Sequence, residues 1–440
     1  MGFLFYLTLA AASLLASPSA LLLPSVIVGL FLAVAKTTHP SHTSPRIVLA
    51  PVFIAFLARL LWILAVPTQP ISDFSTYNDL GLALSHGSAP SYLGNNLGYP
   101  LVLSFVYRIS PHTWSAMLIN ALAGAGTCAL MYALGVRLEN PTVGLLAAWV
   151  FALLPSSVAM SSVIGVDEAA TSIVLLTILV SLEAARADHI GPLQGCSGFL
   201  MAGSVLLWST AWIAVPLVLY LVFRKHERIG ERLSALLIWL GGAVAALCIA
   251  VAFYSLTLGR FSLDPVRPHD ALPLLAGTNI SSQGMWNEED ADLYQSWPIN
   301  VRNRLALDEA WQRVSSAPLG FASIIPAKLA ILLADDTYAE YWSVESASFG
   351  ITRDSDPLQR MVSTYAGFIS QSIYVALLAL AILAFVLDAS RPLRSLTLAI
   401  MACAILSYVF LEVQPRYHHE LMPFLTMLGA AGAQALVRAL

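Results

Sequence analysis

Apolar runs long enough to cross a bilayer recur along the whole chain, and no other feature narrows the possible folds so far. A helix needs about 20 predominantly apolar residues to span the hydrocarbon core. Runs of this kind fall at residues 47–66, 114–135, 143–161, 168–185, 198–223, 233–257, 365–387, 395–412 and 421–437. Two more, 3–16 and 20–35, read as a retained helical hairpin. No Lys or Arg precedes the first, as one would in a signal peptide, and further apolar sequence follows at once. The expected fold class is an all-α polytopic membrane protein. Composition agrees: of 440 residues, 58% are hydrophobic and only 11% are charged, against about 25% charged in a soluble domain. A net charge of −4 without any basic stripe excludes a nucleic-acid partner. The four cysteines form no CxxC pair and suggest neither a disulfide framework nor a zinc site.

Loop charge sets the expected topology. The stretch 198–223 is long for one span and short for two. Breaking it at "WSTAW" puts "RKHERIGER" (224–232) on the cytoplasmic side, with Lys36, Arg46, Arg137, Arg186, Arg391, Arg394 and Arg438. The count is then about 12 spans with both termini inside. Asp73 faces outward, as do "SSVIGVDEAATS", residues 258–364 and "EVQPRYHHEL". The chain therefore divides into an N-terminal transmembrane bundle (1–257) whose first outer loop is 67–113, an extracytoplasmic loop domain (258–364) forming a cap, and C-terminal transmembrane helices (365–440).

The polar groups worth naming collect on that outer side. Asp73, in "QPISDFSTYNDLG", lies just beyond a span; "STYNDLGLALSHG" then has helical spacing, with Tyr77, Leu80 and Leu84 on one face. A carboxylate at a partly desolvated interface can act as a base; equally, Asp73 can cap the helix that begins at Phe74. Asp167 and Glu168 open a span, where acids suit the helix dipole; the pair could also bind a divalent cation or position a substrate hydroxyl. "GTNISSQGMWNEEDADLY" mixes amides, indole and carboxylates as sugar sites do, with Asn279, Trp286 and Asn287 as candidates; a surface turn explains the same residues. Lys328 in "PAKLAILLADD", a short amphipathic segment, is the one outer lysine. "QPRYHHELMP" sets Arg416, Tyr417, His418 and His419 at the mouth of the last span. Such cations suit a lipid phosphate; the alternative for Arg416 is an ion pair with Glu412 or Glu420. Arg59 sits inside a span, where charge costs about 2.5–3.5 kcal/mol; Asp167 or Glu168 is its expected partner.

Outer acids, outer cations and a sugar-compatible loop above a bilayer-embedded bundle suggest transfer from a polyprenyl-phosphate sugar. Asp73 is then the general base and Arg416, Lys328 and the histidines hold the phosphate. A transporter or flippase of a lipid-linked saccharide would need ionisable groups along an intramembrane path; a glycan polymerase or ligase would share the donor chemistry.

"PISDFSTYNDLGLALSHG", "GYPLVLSFVYRI", "INALAGAGTCALMYALG", "GLLAAWVFALLPSSVAMSSVIGVDEAATS" and "VQPRYHHELMPFLTMLGAAG" resemble, in order and spacing, the bacterial integral-membrane glycosyltransferases of the GT-C fold. These are relatives of protein O-mannosyltransferases and the aminoarabinose transferase, grouped as glycosyltransferase family 39. "GTNISSQGMWNEEDA" resembles a subgroup of bacterial members. The resemblance implies a GT-C-type bundle in the inner (plasma) membrane, a polyprenyl-phosphate sugar donor, and transfer outside the cytoplasm to a glycan, lipid or protein acceptor. The family's first-loop catalytic acid falls on Asp73, and its later span-opening acid on Asp167 or Glu168. Two positions depart from the pattern. Phe74 stands where many relatives have Glu, which speaks against a metal site in that loop, and Ser209–Ala211 replaces an Arg-Pro.

Overall fold

The computed structural model describes residues 45–88, 97–187, 189–266, 271–347 and 357–440, together with Pro24, Val28, Gly29 and Leu32. The expected hairpin at 3–35 falls almost wholly outside them. Among the described residues all regular structure is helical. Among these residues six helices are long and apolar enough to cross a membrane, or seven if one sharply bent pair is a single span. The chain is a polytopic helical membrane protein.

In chain order the α-helices are α1 (Leu49–Ala65), α2 (Ser72–Ser85), α3 (Gly98–Tyr107), α4 (Thr113–Leu138), α5 (Pro141–Ala152), α6 (Pro155–Met160), α7 (Asp167–Arg186), α8 (Pro192–Leu207), α9 (Val215–Phe223) and α10 (Ile229–Leu258). There follow α11 (Leu272–Gly277), α12 (Glu288–Ser296), α13 (Arg302–Ser316), α14 (Pro318–Leu333), α15 (Tyr338–Glu345), α16 (Pro357–Val386), α17 (Arg391–Tyr408) and α18 (Met422–Ala439). The main core runs between α4, α5, α7, α9, α16, α17 and α18, through Phe151, Leu175, Val218, Leu377, Leu396 and Phe424. Helix α10 leaves Leu233, Leu237, Val244, Ile249 and Leu256 exposed, as a lipid-facing helix does.

Two runs differ from their sequence reading, and a third keeps to it. Residues 143–161 do not form one span: the helix stops at Ala152 and restarts at Pro155, because proline has no amide hydrogen and disfavours helix in the residue before it. The stretch 198–223 does break inside "WSTAW". Trp208 is extended, and a 3₁₀ segment (Ser209–Ala214) leads into α9. Residues 258–364 hold more than loop. "PAKLAILLADD" is largely the C-terminal half of α14, an apolar 16-residue helix with Pro326 in its interior, and α14 meets α13 at a bend of 103°.

Helices α8 and α10 approach through glycine. A Cβ on Gly198 would lie 1.9 Å from the Trp239 carbonyl oxygen, and one on Gly242 would lie 1.9 Å from that of Gly195. Small residues let backbones close in where the lipid supplies no hydrophobic drive. Gly203, also on α8, has nothing within 4 Å of its would-be Cβ. Gly198→Ala should therefore destabilise the protein by about 1–3 kcal/mol through overpacking, whereas Gly203→Ala should be neutral or stabilising by up to about 1 kcal/mol. Thermal melting of the two variants in detergent checks the contrast.

Candidate active site

The start of α2, the start of α7, the break after α8 and the link between α17 and α18 meet at one end of the bundle. They enclose a chamber of about 400 Å³ walled by Asp73, Tyr77, Asp167, Trp208, Trp286, Glu412, Arg416 and Tyr417, among others. Asp73 sits in the first turn of α2, but Ile71 occupies the N-cap position and no side chain caps the helix. The capping reading of Asp73 fails for that reason. Its carboxylate is turned to Arg416, with Nη2 donating to Oδ2 at 2.8 Å. Ser72, just before it, holds a left-handed backbone (φ 53°), a conformation that costs about 1–3 kcal/mol outside glycine and persists only where the surroundings enforce it.

Arg416 belongs to a 3₁₀ turn, Pro415–Leu421, and is almost fully buried. Its guanidinium lies 5.1 Å from the Phe74 ring centre and 5.4 Å from that of Tyr417, within cation–π range. Phe74 is the position at which the resemblance leads one to expect an acid. Here it is an aromatic shelf under the arginine, braced edge-on by Trp342 at 5.3 Å. Ser209 and Thr210, in place of Arg-Pro, line the chamber. Tyr77 meets Tyr99 edge to face at 5.7 Å. Burial and then the Asp73 charge push its phenol above the usual range, so Tyr77 stays a neutral hydroxyl.

Asp167 and Glu168 are neighbours with different surroundings. Asp167 faces the chamber. Glu168 turns into the bundle, where the Ser157 hydroxyl donates to Oε1 at 2.8 Å and His419 Nε2 stands 3.5 Å away. The two carboxylates thus face different surroundings, and among the described residues no three His, Cys, Asp or Glu side chains gather into a group that could hold a metal ion. Arg59 donates to Ser157 Oγ at 2.6 Å and to the Ala55 and Ala152 carbonyls. Its link to Glu168 therefore runs through a serine hydroxyl rather than by direct contact.

Several expected substrate contacts have structural work instead. The Lys328 ammonium donates all three hydrogens to backbone carbonyls, those of Gly277, Val409 and Leu411, leaving none for a phosphate. Asn279 and Asn287 both donate to Asp290 Oδ2 at 2.9 Å, and Asn287 also caps α12. Arg313 completes that cluster by donating to Asp290 Oδ1 at 2.8 Å. His418 spans the Leu332 carbonyl (2.8 Å) and Asp336 (3.1 Å), and His419 contacts the Tyr338 hydroxyl at 2.6 Å. The two histidines anchor the turn that carries Arg416 and do not face the chamber. Of the expected contacts, Asp73, Tyr77, Asp167, Trp286, Arg416 and Tyr417 come together, and Asn279, Asn287, Lys328, Glu168, His418 and His419 do not. Trp208 is a wall residue that the sequence reading passed over, and Glu412 one weighed there only as a partner for Arg416. Asp336 and Tyr338 were also missed, although "LAILLADD" ends an apolar run on acids just as the runs before Asp73 and Asp167 do.

Replacing Arg59 by Met should leave only His419 and the Ser157 hydroxyl to compensate the buried Glu168 charge, a loss of about 3 kcal/mol, visible as a fall in melting temperature. Adding Glu168→Gln in the same chain should restore much of it.

Residues 96–254, about a third of the chain, match a family model described as dolichyl-phosphate-mannose-protein mannosyltransferase. A search of curated proteins finds no match. The matched segment includes Asp167, Trp208 and Thr210; Asp73 and Arg416 lie outside it. The family match supports a GT-C-type glycosyltransferase.

Proposed function

We propose that the protein transfers a sugar from a polyprenyl-phosphate donor to an acceptor hydroxyl on the extracytoplasmic face of the membrane. Asp73 acts as general base and Arg416 holds the donor phosphate. One observation carries the reading: a half-exposed carboxylate and a buried guanidinium, 343 residues apart in sequence, form an ion pair in the wall of a single chamber. The family match supports the donor class.

Without donor, Asp73 and Arg416 satisfy each other. An incoming phosphate competes for the arginine, which can grip it with two donors, and the displaced carboxylate becomes free to take the acceptor proton. That proton passes from the acceptor hydroxyl to Asp73, the new C–O bond forms at the sugar's anomeric carbon, and the bond from that carbon to the phosphate oxygen breaks, leaving prenyl phosphate. Asp167 and Tyr77 offer an acceptor and a donor for sugar hydroxyls, and Trp286 and Trp208 offer aromatic faces. Residues 258–364 serve as the cap over the chamber. The charge pattern of the loops supports the extracytoplasmic placement, with the membrane being the inner (plasma) membrane. A polymerase or ligase of prenyl-linked glycans would differ in acceptor only.

Donor turnover in proteoliposomes tests the assignment. Asp73→Asn should lose about 10²–10⁴-fold in transfer while binding a prenyl phosphodiester at least as tightly as the wild type, because Arg416 is no longer claimed. Wild-type turnover by Asp73→Asn would remove the base, and loss of donor binding in that variant would remove the competition.

A further inference from the structure

Glu412 is the fourth charged-type side chain in the chamber wall, with Asp73, Asp167 and Arg416. It lies between α17 and the 3₁₀ turn, only 5% exposed, and its backbone N–H is fixed to the Pro273 carbonyl at 2.6 Å. Both hydrogen bonds to its side chain fall on the same oxygen: Gln414 Nε2 donates to Oε1 at 2.5 Å and the Tyr417 hydroxyl at 3.4 Å. Donors on Oε1 alone suit the ionised and the neutral group alike; what the arrangement leaves is Oε2 without a hydrogen-bond partner among the described residues, the oxygen that would carry a proton.

Charge counting points the same way. If every acid were ionised, the chamber would set three carboxylates against one guanidinium before any donor arrived. A phosphodiester adds a further negative charge at close range, where like charges repel strongly unless well solvated. An uncharged Glu412 removes one of those charges and supplies a hydrogen-bond donor. The groups facing it are Asp73, Arg416 and Tyr417, with Lys328 behind, spent on backbone carbonyls. Burial raises its carboxyl above the usual range, and Gln414, Arg416 and Tyr417 only partly oppose that.

We propose that Glu412 is a donor-binding residue that works as an uncharged acid, offering Oε2–H to a phosphate oxygen held beside Arg416. The proposal deepens the lipid-phosphate reading above and rests on it. The competent form is the protonated one, so donor affinity is full below the Glu412 pKa and declines as pH rises through it, by up to about tenfold per pH unit.

The test is calorimetric titration of the detergent-solubilised full chain with farnesyl methyl phosphodiester, whose own charge is constant across the whole range from mildly acidic to alkaline pH. Wild type should bind and weaken as pH rises. Glu412→Gln, neutral at every pH and still a donor, should keep the wild-type affinity of the low-pH limb and lose the dependence. Glu412→Ala should bind, at every pH, about tenfold more weakly than the wild type does on its low-pH limb, the cost of one hydrogen bond to a charged group. A wild type insensitive to pH, a Gln variant with the wild-type decline, or an Ala variant of wild-type affinity would each overturn the proposal. If wild type fails to bind the phosphodiester at any pH, the lipid-phosphate reading falls first and takes this one with it.

Discussion

Arg416 is a permanent positive charge buried in a mostly apolar bundle, and much of the surrounding structure follows from keeping it there. Burying such a charge without compensation costs several kcal/mol. The compensation comes from three directions: the Asp73 carboxylate, the Phe74 ring on one element and the Tyr417 ring beside it in sequence. Each serves a second purpose. Asp73 is the only one of the three that can leave without dismantling the turn, since it is half exposed and sits at the end of a helix. Under the proposed function, the partner that the arginine can release is also the base.

Below the chamber a second polar layer does the opposite job. Arg59, Ser157, Glu168, His419 and Tyr338 form one chain of contacts, and His418 with Asp336 forms another. These groups are almost entirely buried and come from α1, α6, α7, α15 and the 3₁₀ turn, so they tie five elements to the base of the site. Buried polar groups of this kind are costly unless satisfied; Arg59 Nε, Glu168 Oε2 and His419 Nε2 make no hydrogen bond among the described residues, and the bonds that are made hold the Arg416 turn in register.

The membrane character and most helix positions were legible because apolar length is a local property. The fracture at Pro155 was legible in principle, since proline announces it, yet the hydropathy of residues 143–161 concealed it. Side-chain roles divide by a different rule. Asp73, Asp167 and Arg416 lie at the ends of apolar runs, and the ends of spans converge, so sequence position alone brought them near one another. Lys328, Asn279, Asn287, His418 and His419 are of the same chemical types at similar positions. What removes them is which backbone carbonyls and carboxylates they meet, and that depends on the mutual placement of helices that sequence spacing does not encode. Glu412 escaped notice for the converse reason, because it was weighed only as a counter-ion for Arg416.

The stitching around Lys328 has a mechanical consequence. One ammonium holds the carbonyls of Gly277, Val409 and Leu411, and backbone hydrogen bonds join Glu412 to Pro273 and Val413 to Gly284. The strand of chain bearing Glu412 and the stretch from Pro273 to Gly284 are thereby riveted into one plate. Any widening of the entrance must swing that plate as a unit, with the flexing confined to joints outside the rivets, so cargo arriving on the one stretch tugs directly on the other.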